Sequence, residues 1–299
     1  MSALPPPRRA VALALMVIAP VLWSTAGVLS RLIQSAGAFE MAFWRSSIAA
    51  AFVFTALSTL QGGRPFATLR AAGLAGLISG AMWAVMFTCF IVALTLTTVA
   101  NVLVVSSLGP LCTALLTWLM LREPIPTRSW LAIVAASVGM GAMFGAGFTA
   151  DDWSHVAGLA LALTIPIAGA INIVVLRKSG AHLDLMPAVM LGALISAVVS
   201  LPFALPFAAS GRDLLVLGTL GVFQLGVPCL MLVLAARTLT APEVALLALL
   251  EVVLGPLWTW LGAGEVPAGA TIAGGAIVLA ALAGNEAAAL AERRGAHAP

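Results

Sequence analysis

A chain of 299 residues that is 62% hydrophobic and 8% charged cannot cover a water-facing surface, since soluble domains carry about 25% charged residues. Its 14 Lys and Arg against 11 Asp and Glu leave a net charge of +3. These values exclude a soluble globule. The absence of a basic patch interleaved with aromatics excludes a nucleic-acid binder.

Punctuation by Gly, Pro and charge divides the chain into ten apolar segments, each long enough at ~20 residues to cross ~30 Å of hydrocarbon as a helix. The first, at 11–33, follows Arg8 and Arg9. A basic start and an apolar run also describe a signal peptide, but the run continues to Ile33 without a small-residue cleavage site, so it reads as a retained span. It holds Pro20, Trp23 and Ser24. The second, at 39–60, places Arg45 five residues beyond Glu40, near one end. Its guanidinium is expected to snorkel to the headgroups, with a substrate carboxylate as the alternative partner if it turns inward. The third, at 71–94, carries Ser79 and Trp83 on one face, one turn apart. The fourth, at 97–121, contains Asn101 and Pro110. The fifth spans 127–147 and the sixth 154–176, the latter with Thr164, Pro166 and Asn172. The seventh, at 184–207, is almost purely apolar. The eighth, at 213–236, has Gln224 at its middle and Pro228 beyond it. The ninth, at 242–262, contains Glu251 and Pro256, and the tenth covers 268–288.

Basic residues set the orientation. With the N-terminus in the cytoplasm, the inner segments hold Arg8, Arg9, Arg64, Arg70, Arg122, Arg128, Arg177, Lys178, Arg237, Arg293 and Arg294, and the outer ones only Arg31 and Arg212. Both termini are therefore expected inside. The outer loop after the fifth helix carries Asp151 and Asp152 instead of basic residues.

One short pattern occurs twice. Thr117 to Glu123 reads TWLMLRE and Thr259 to Glu265 reads TWLGAGE, an offset of 142 that lays the fourth helix on the ninth. A register of 146, pairing LGPLCT with LGPLWT, would separate the two Glu residues. Each half thus holds five helices, at 1–149 and 150–299. Five is odd, so the second half enters from the opposite side. The expected fold class is an all-α membrane protein of ten transmembrane helices built as two inverted five-helix repeats, a common plan of secondary transporters.

The carrying stretches are PVLWSTAGVLSRL, FEMAFWRSSIAA, SSLGPLCTALLTWLMLREPI and LLEVVLGPLWTWLGAGEVPAGATIAGGAIVLAAL. On them the chain resembles the drug/metabolite transporter superfamily in its ten-helix form with two EamA-type domains. The nearest likeness within it is to the YddG-type amino-acid exporters. Trp23-Ser24 stands where the family often has Trp-Gly, and Val252 where it often has proline after the Glu of the ninth helix. The resemblance implies export of amino acids and related metabolites across a bacterial cytoplasmic membrane, with no cofactor, by a chain that works as a monomer.

Depth along each helix selects candidate substrate-binding residues. Trp23, Trp83 and Gln224 lie ~18–21 Å from their charged helix ends, near the bilayer centre. Tryptophan normally prefers the interface, so two at mid-depth read either as packing or as a wall for an apolar or aromatic solute. Ser24, Ser79, Asn101, Thr164 and Asn172 are polar groups in apolar surroundings that need partners or a wet cavity. Glu251 is the deepest carboxylate. It reads as a proton-coupling group, as a contact for a substrate ammonium, or as a structural group bonded to backbone freed by Pro256. Pro20, Pro110, Pro166, Pro228 and Pro256 mark helix breaks, and the paired breaks of the first and sixth helices point to the site between them. The pairs Gly76/Gly80 and Gly141/Gly145 read as close helix packing.

Sparse charge at mid-depth argues against phosphorylated solutes and favours a neutral or zwitterionic one. Cys89, Cys112 and Cys229 are scattered in apolar runs with no disulfide or metal spacing. His155, His182 and His297 fall in loops or the tail, so an intramembrane Ser–His or zinc site is not expected. Cysteines introduced at Glu123 and Glu265 are expected to react with an impermeant maleimide from opposite sides of the membrane. Labelling of both from one side would refute the inverted repeat.

Overall fold

The computed structural model describes residues 7–60, 65–122, 124–146, 153–179, 186–239 and 241–295. Glu123, Arg64, Asp151, Asp152, His182 and His297 lie outside them, as do the side chains of Arg177, Lys178, Arg293 and Arg294. Every described element is helical. We number the ten spans α1 (Arg9–Arg31), α2 (Ala38–Leu60), α3 (Pro65–Leu96), α4 (Val99–Met120), α5 (Thr127–Ala146), α6 (Trp153–Ser179), α7 (Met186–Ala204), α8 (Gly211–Ala235), α9 (Ala241–Ala263) and α10 (Gly269–Gly295). Nine of them are long and apolar enough to cross a membrane by length and composition among the described residues. The remaining one, α5, is a 20-residue helix packed along α10.

The helices pack in a pattern that repeats when α1–α5 are exchanged with α6–α10. The contact of α3 with α6 has its mate in α8 with α1, that of α3 with α7 in α8 with α2, and that of α4 with α6 in α9 with α1. The pairs α2/α7, α4/α9 and α5/α10 exchange into themselves and so lie across the pseudo-two-fold axis. The chain is thus two inverted five-helix repeats. The first helix of each repeat packs on the other repeat: α1 packs on α8 and α9, while α6 packs on α3 and α4.

The ends of the spans agree with alternating direction. We call the side bearing the start of α1 and the end of α10 the terminal face, and the other the distal face. Arg9 at the start of α1 pairs with Glu243 at the start of α9, and Arg128 at the start of α5 pairs with Glu292 at the end of α10. On the distal face Glu40 accepts from the backbone N–H groups of Ala208 (3.0 Å) and Ala209 (2.9 Å), tying the start of α2 to the end of α7. Asp213 accepts from the N–H groups of Gln34 and Ser35 (both 3.1 Å) and closes a capping box with Ser210 at the start of α8. Arg122 ends α4 on the terminal face, and Val99 at its other end bonds Glu265 on the distal face.

The helix interruptions differ from those expected at the prolines. α1 runs through Pro20 and breaks at Thr25, where the hydroxyls of Ser24 and Thr25 bond the carbonyls of Val21 and Leu22 (both 2.7 Å) and compete with the helical ladder. α4 breaks at Ser107 and Leu108, and Pro110 opens its second piece, where a missing N–H costs nothing. α6 and α9 continue through Pro166 and Pro256, so the first and sixth helices do not share a break. α8 holds a π-helical stretch, Leu220–Gly226, just before Pro228. α3 kinks at Gly73, whose φ of 55° and ψ of −139° favour glycine. The helix thus begins at Pro65, before the kink, whereas the sequence places its start at residue 71.

The largest buried cluster joins Ile91, Leu94, Val99, Val102, Leu159 and Leu282 from α3, α4, α6 and α10. Elsewhere small residues bring helices close. Gly80 faces Leu191 of α7, whereas Gly141 faces open space and the α5–α10 approach falls to Gly139, over the carbonyl of Gly274. Gly192 of α7 is the tightest approach to α3: a Cβ there would lie 2.3 Å from Trp83 Cβ and 2.9 Å from the Gly80 carbonyl. Gly192→Ala forces α7 from α3. It is expected to cost ~1–3 kcal/mol, as overpacking does, measured as a lower melting temperature in detergent.

Candidate functional site

The largest fully buried side chain among the described residues is Arg45. It is 2% exposed, so the expected snorkelling is replaced by an inward-facing guanidinium. A side chain seven residues into α2 can reach either the headgroups or the interior, and here the interior supplies acceptors. Nε donates to Gln224 Oε1 at 3.1 Å and Nη1 donates to the Phe87 carbonyl at 3.2 Å. The guanidinium also lies 5.9 Å from the centre of the Phe90 ring. No acceptor is found for Nη2 among the described residues. Gln224 sits in the π-helical stretch of α8, where the widened turn re-aims the side chain. Its amide donates weakly to the Trp23 carbonyl at 3.4 Å, so α1, α2, α3 and α8 meet at this point.

Glu251 belongs to α9. It lines a cavity of about 150 Å³ between α4 and α9, together with Leu103, Ser106, Ser107, Pro110 and Val252. Ligand pockets run from about 300 Å³ upward, so this conformer leaves room for little more than a small solute. Arg45 and Glu251 interact electrostatically. They make no direct ion pair.

The other candidates divide around this centre. Ser24 donates to Val21 and receives the indole N–H of Trp258 at 3.1 Å. Trp83 and Phe87 stack in a cluster with Ala49, Val189, Leu225 and Cys229, against whose edge Trp23 packs. Trp83 is thereby held in packing between α3 and α7, and Trp23 is the more open of the two. Among the described residues, Ser79 Oγ and Asn172 Oδ1 are buried with no hydrogen-bond partner. Thr164 bonds its own helix at Leu161 (2.6 Å). Asn101 belongs to a polar group at the distal end of α4, with Thr97 and Thr271, away from Arg45. Pro20, Pro166 and Pro228 are buried within their helices; Pro110 lines the cavity and Pro256 is half-buried. The structure therefore joins Gln224 to Arg45 and Trp23 to Gln224, places Glu251 in the cavity between α4 and α9, and leaves Asn101 and Thr164 outside that group.

Cys89, Cys112 and Cys229 are free thiols in the helices. Among the described residues no cluster of His, Cys, Asp or Glu is placed to hold a metal. His155 stands in the first turn of α6, not in a loop, with Nδ1 at 2.9 Å from Thr97 Oγ1. Sequence reasoning missed Trp258, Arg31 and Phe87. The signal for the first two was a spacing: Arg9–Glu243, Ser24–Trp258 and Arg31–Glu265 are each 234 residues apart, because α1 and α9 run parallel and in register.

The two halves of the sequence match a known family. The EamA-like transporter family aligns with residues 10–145 and again with 156–285. The chain belongs to the EamA-like transporter family. It is accordingly a multi-pass membrane protein that moves small molecules, and the family's members are transporters, not enzymes. A crystal structure of a protein 19% identical superposes with a TM-score of 0.66 over 93% of this chain and 98% of that one, a likeness of fold. No curated protein matches the chain.

Gln224→Leu removes the acceptor of Arg45 Nε while keeping the shape of the helix. Hydrogen bonds to charged groups are worth about 1.5–3 kcal/mol, so the variant is expected to melt several degrees lower than the parent, by fluorescence-detected unfolding in detergent.

Proposed function

We propose that this EamA-type transporter exports neutral, mainly apolar and aromatic amino acids and related metabolites from the cytoplasm by alternating access, in the manner of the YddG-type exporters, with broad selectivity. The feature that carries the reading is that the buried Arg45 guanidinium and the Glu251 carboxyl group, which lines the cavity, do not contact each other. A zwitterion carries the complement of both. Its carboxylate would take the Arg45 Nη2 hydrogens, its ammonium the Glu251 carboxylate, and its side chain the aromatic edge at Trp23. Two charges left apart in a low-dielectric interior are costly, and a ligand that neutralises both gains from each. Phosphorylated solutes would call for a second cation, and no other Arg or Lys is found with Arg45 at this depth among the described residues.

The termini are assigned to the cytoplasmic side of a bacterial inner membrane by the excess of Arg and Lys at the helix ends of the terminal face. The direction of transport rests on the family likeness. Glu251 is also the group on which proton coupling would act, since it faces the cavity. Work as a monomer is consistent with a site formed wholly within one chain. Ser24, Ser79, Trp83, Asn101, Thr164 and Asn172 remain candidates for the walls of the wider cavity of another conformer.

Reconstituted vesicles decide the matter. Counterflow of labelled phenylalanine is expected, and unlabelled phenylalanine should compete at least ~10-fold better than phenethylamine or phenylpropionate, which each lack one charge. A loss of 1.4 kcal/mol of binding already gives that factor. Arg45→Met should abolish the advantage over phenethylamine, which lacks the carboxylate, and Glu251→Gln the advantage over phenylpropionate, which lacks the ammonium. A folded protein that moves no amino acid, or competition indifferent to the charges, sinks the proposal.

A further inference from the structure

At the distal end of α1, Arg31 bonds three partners at once. Nε donates to Glu265 Oε2 at 2.8 Å, Nη1 to the Leu94 carbonyl at 2.7 Å and Nη2 to the Thr97 carbonyl at 3.2 Å. Glu265, just beyond α9, turns its other oxygen, Oε1, to the backbone N–H of Val99 at 2.7 Å. Leu94 and Thr97 close α3, and Val99 is the first residue of α4. A helix C-terminus presents unpaired carbonyls and partial negative charge, while an N-terminus presents unpaired N–H groups and partial positive charge. The ion pair therefore lies across the α3–α4 corner with each charge against the helix end of opposite sign. Beneath the corner, Thr97 Oγ1 meets His155 Nδ1 at 2.9 Å and accepts from Asn101 Nδ2 at 3.3 Å, and Thr271 Oγ1 donates to Asn101 Oδ1 at 3.0 Å.

The placement matters because the corner and the pair belong to different bodies. Arg31 and Glu265 ride on α1 and α9, which pack together; Leu94, Thr97 and Val99 ride on α3 and α4, which pack on α6. Every bond from the pair to the corner crosses the seam along which the bodies must part. Glu251 in the cavity lies 12 residues back from Ala263, the end of α9, about 18 Å toward the terminal face.

We infer that Arg31 and Glu265 form a latch that shuts the distal mouth of the transport route by seating the α3–α4 corner. The conformer that opens on the distal face releases the Leu94 and Thr97 carbonyls and the Val99 N–H together. The pair itself joins α1 to α9 and persists through the cycle. The latch does not depend on which solute is carried, so its test reads access and not flux.

The test uses the full chain in membranes, with Cys89, Cys112 and Cys229 changed to Ala and a single cysteine at Ser106→Cys in the cavity wall. A membrane-impermeant maleimide is applied separately to intact cells and to inside-out vesicles, so the distal side is reached in one of the two. Glu265→Gln is expected to raise the labelling rate from the distal side severalfold and to lower it from the terminal side. Arg31→Gln should shift both rates the same way, and serves where Glu265→Gln does not fold. The deciding variant is the exchange Arg31→Glu with Glu265→Arg. It restores an ion pair between α1 and α9 but sets each charge against a helix end of its own sign, so distal labelling should stay high. Labelling returned to the parent rate by the exchange would reduce the pair to a clamp between α1 and α9. Unchanged labelling in folded single variants would overturn the latch outright.

Discussion

Hydrocarbon offers no hydrogen bonds, so every polar group that the ten spans carry into the membrane must be answered from within the protein. That requirement explains most of the local structure. Ser and Thr hydroxyls at Ser24, Thr25, Ser30, Ser106, Ser107 and Thr164 bond carbonyls of their own helices. At the helix ends carboxylates do the work: Glu40 and Asp213 gather backbone N–H groups from the loops across from them. Arg45 is the severe case. Its burial is tolerable because α3 offers a carbonyl, α8 an amide oxygen and α3 again an aromatic face.

The same requirement organises the motion available to the fold. Interruptions sit at Thr25, at Ser107 and in the π-helical turn of α8, and the backbone there is still bonded within its own helix, as in Leu29 N–H to the Thr25 carbonyl and Ser107 N–H to the Leu103 carbonyl. The charges follow the same division. Arg45 and Glu251 are separated at mid-depth, whereas Arg31 and Glu265 are joined at the rim. On the proposed reading, the separated pair receives a ligand and the joined pair, laid on a helix corner, resists opening. Two uses of one Arg–Glu chemistry thus differ only in whether water and protein dipoles complete the pairing.

Much of the fold was legible because it rests on period, length and charge. Ten apolar runs, an excess of Arg on alternate loops and the doubled TWL pattern dictate ten spans in two opposed sets. The site was less legible, since counting residues gives depth and says nothing of azimuth. Trp23, Trp83 and Gln224 share a depth, yet Trp83 turns to Gly192 and Gln224 turns to Arg45. Arg45 itself read as a surface group, because its depth allows two directions and only the tertiary acceptors choose between them. Prolines misled in a related way. A proline removes one donor, but α6 and α9 stay continuous where neighbours hold them, while adjacent hydroxyls break α1 instead. Arg31 entered only as an exception among outer charges. Its partner was visible in the equal distances Arg9 to Arg31 and Glu243 to Glu265, 22 residues each.

The register between α1 and α9 bears on how the chain comes into being. The first helix finds its principal neighbours in α8 and α9, more than 200 residues later in synthesis. Translation at about 5–20 residues per second leaves α1 in the bilayer for ten seconds or more before Trp258 and Glu265 exist to meet it. During that interval Arg9, Ser24 and Arg31 must be sheltered by lipid headgroups, by the insertion machinery or by provisional partners. The N-terminal repeat is therefore no independent folding unit, and nascent chains of this protein should be most vulnerable to quality-control proteases until the ninth span emerges.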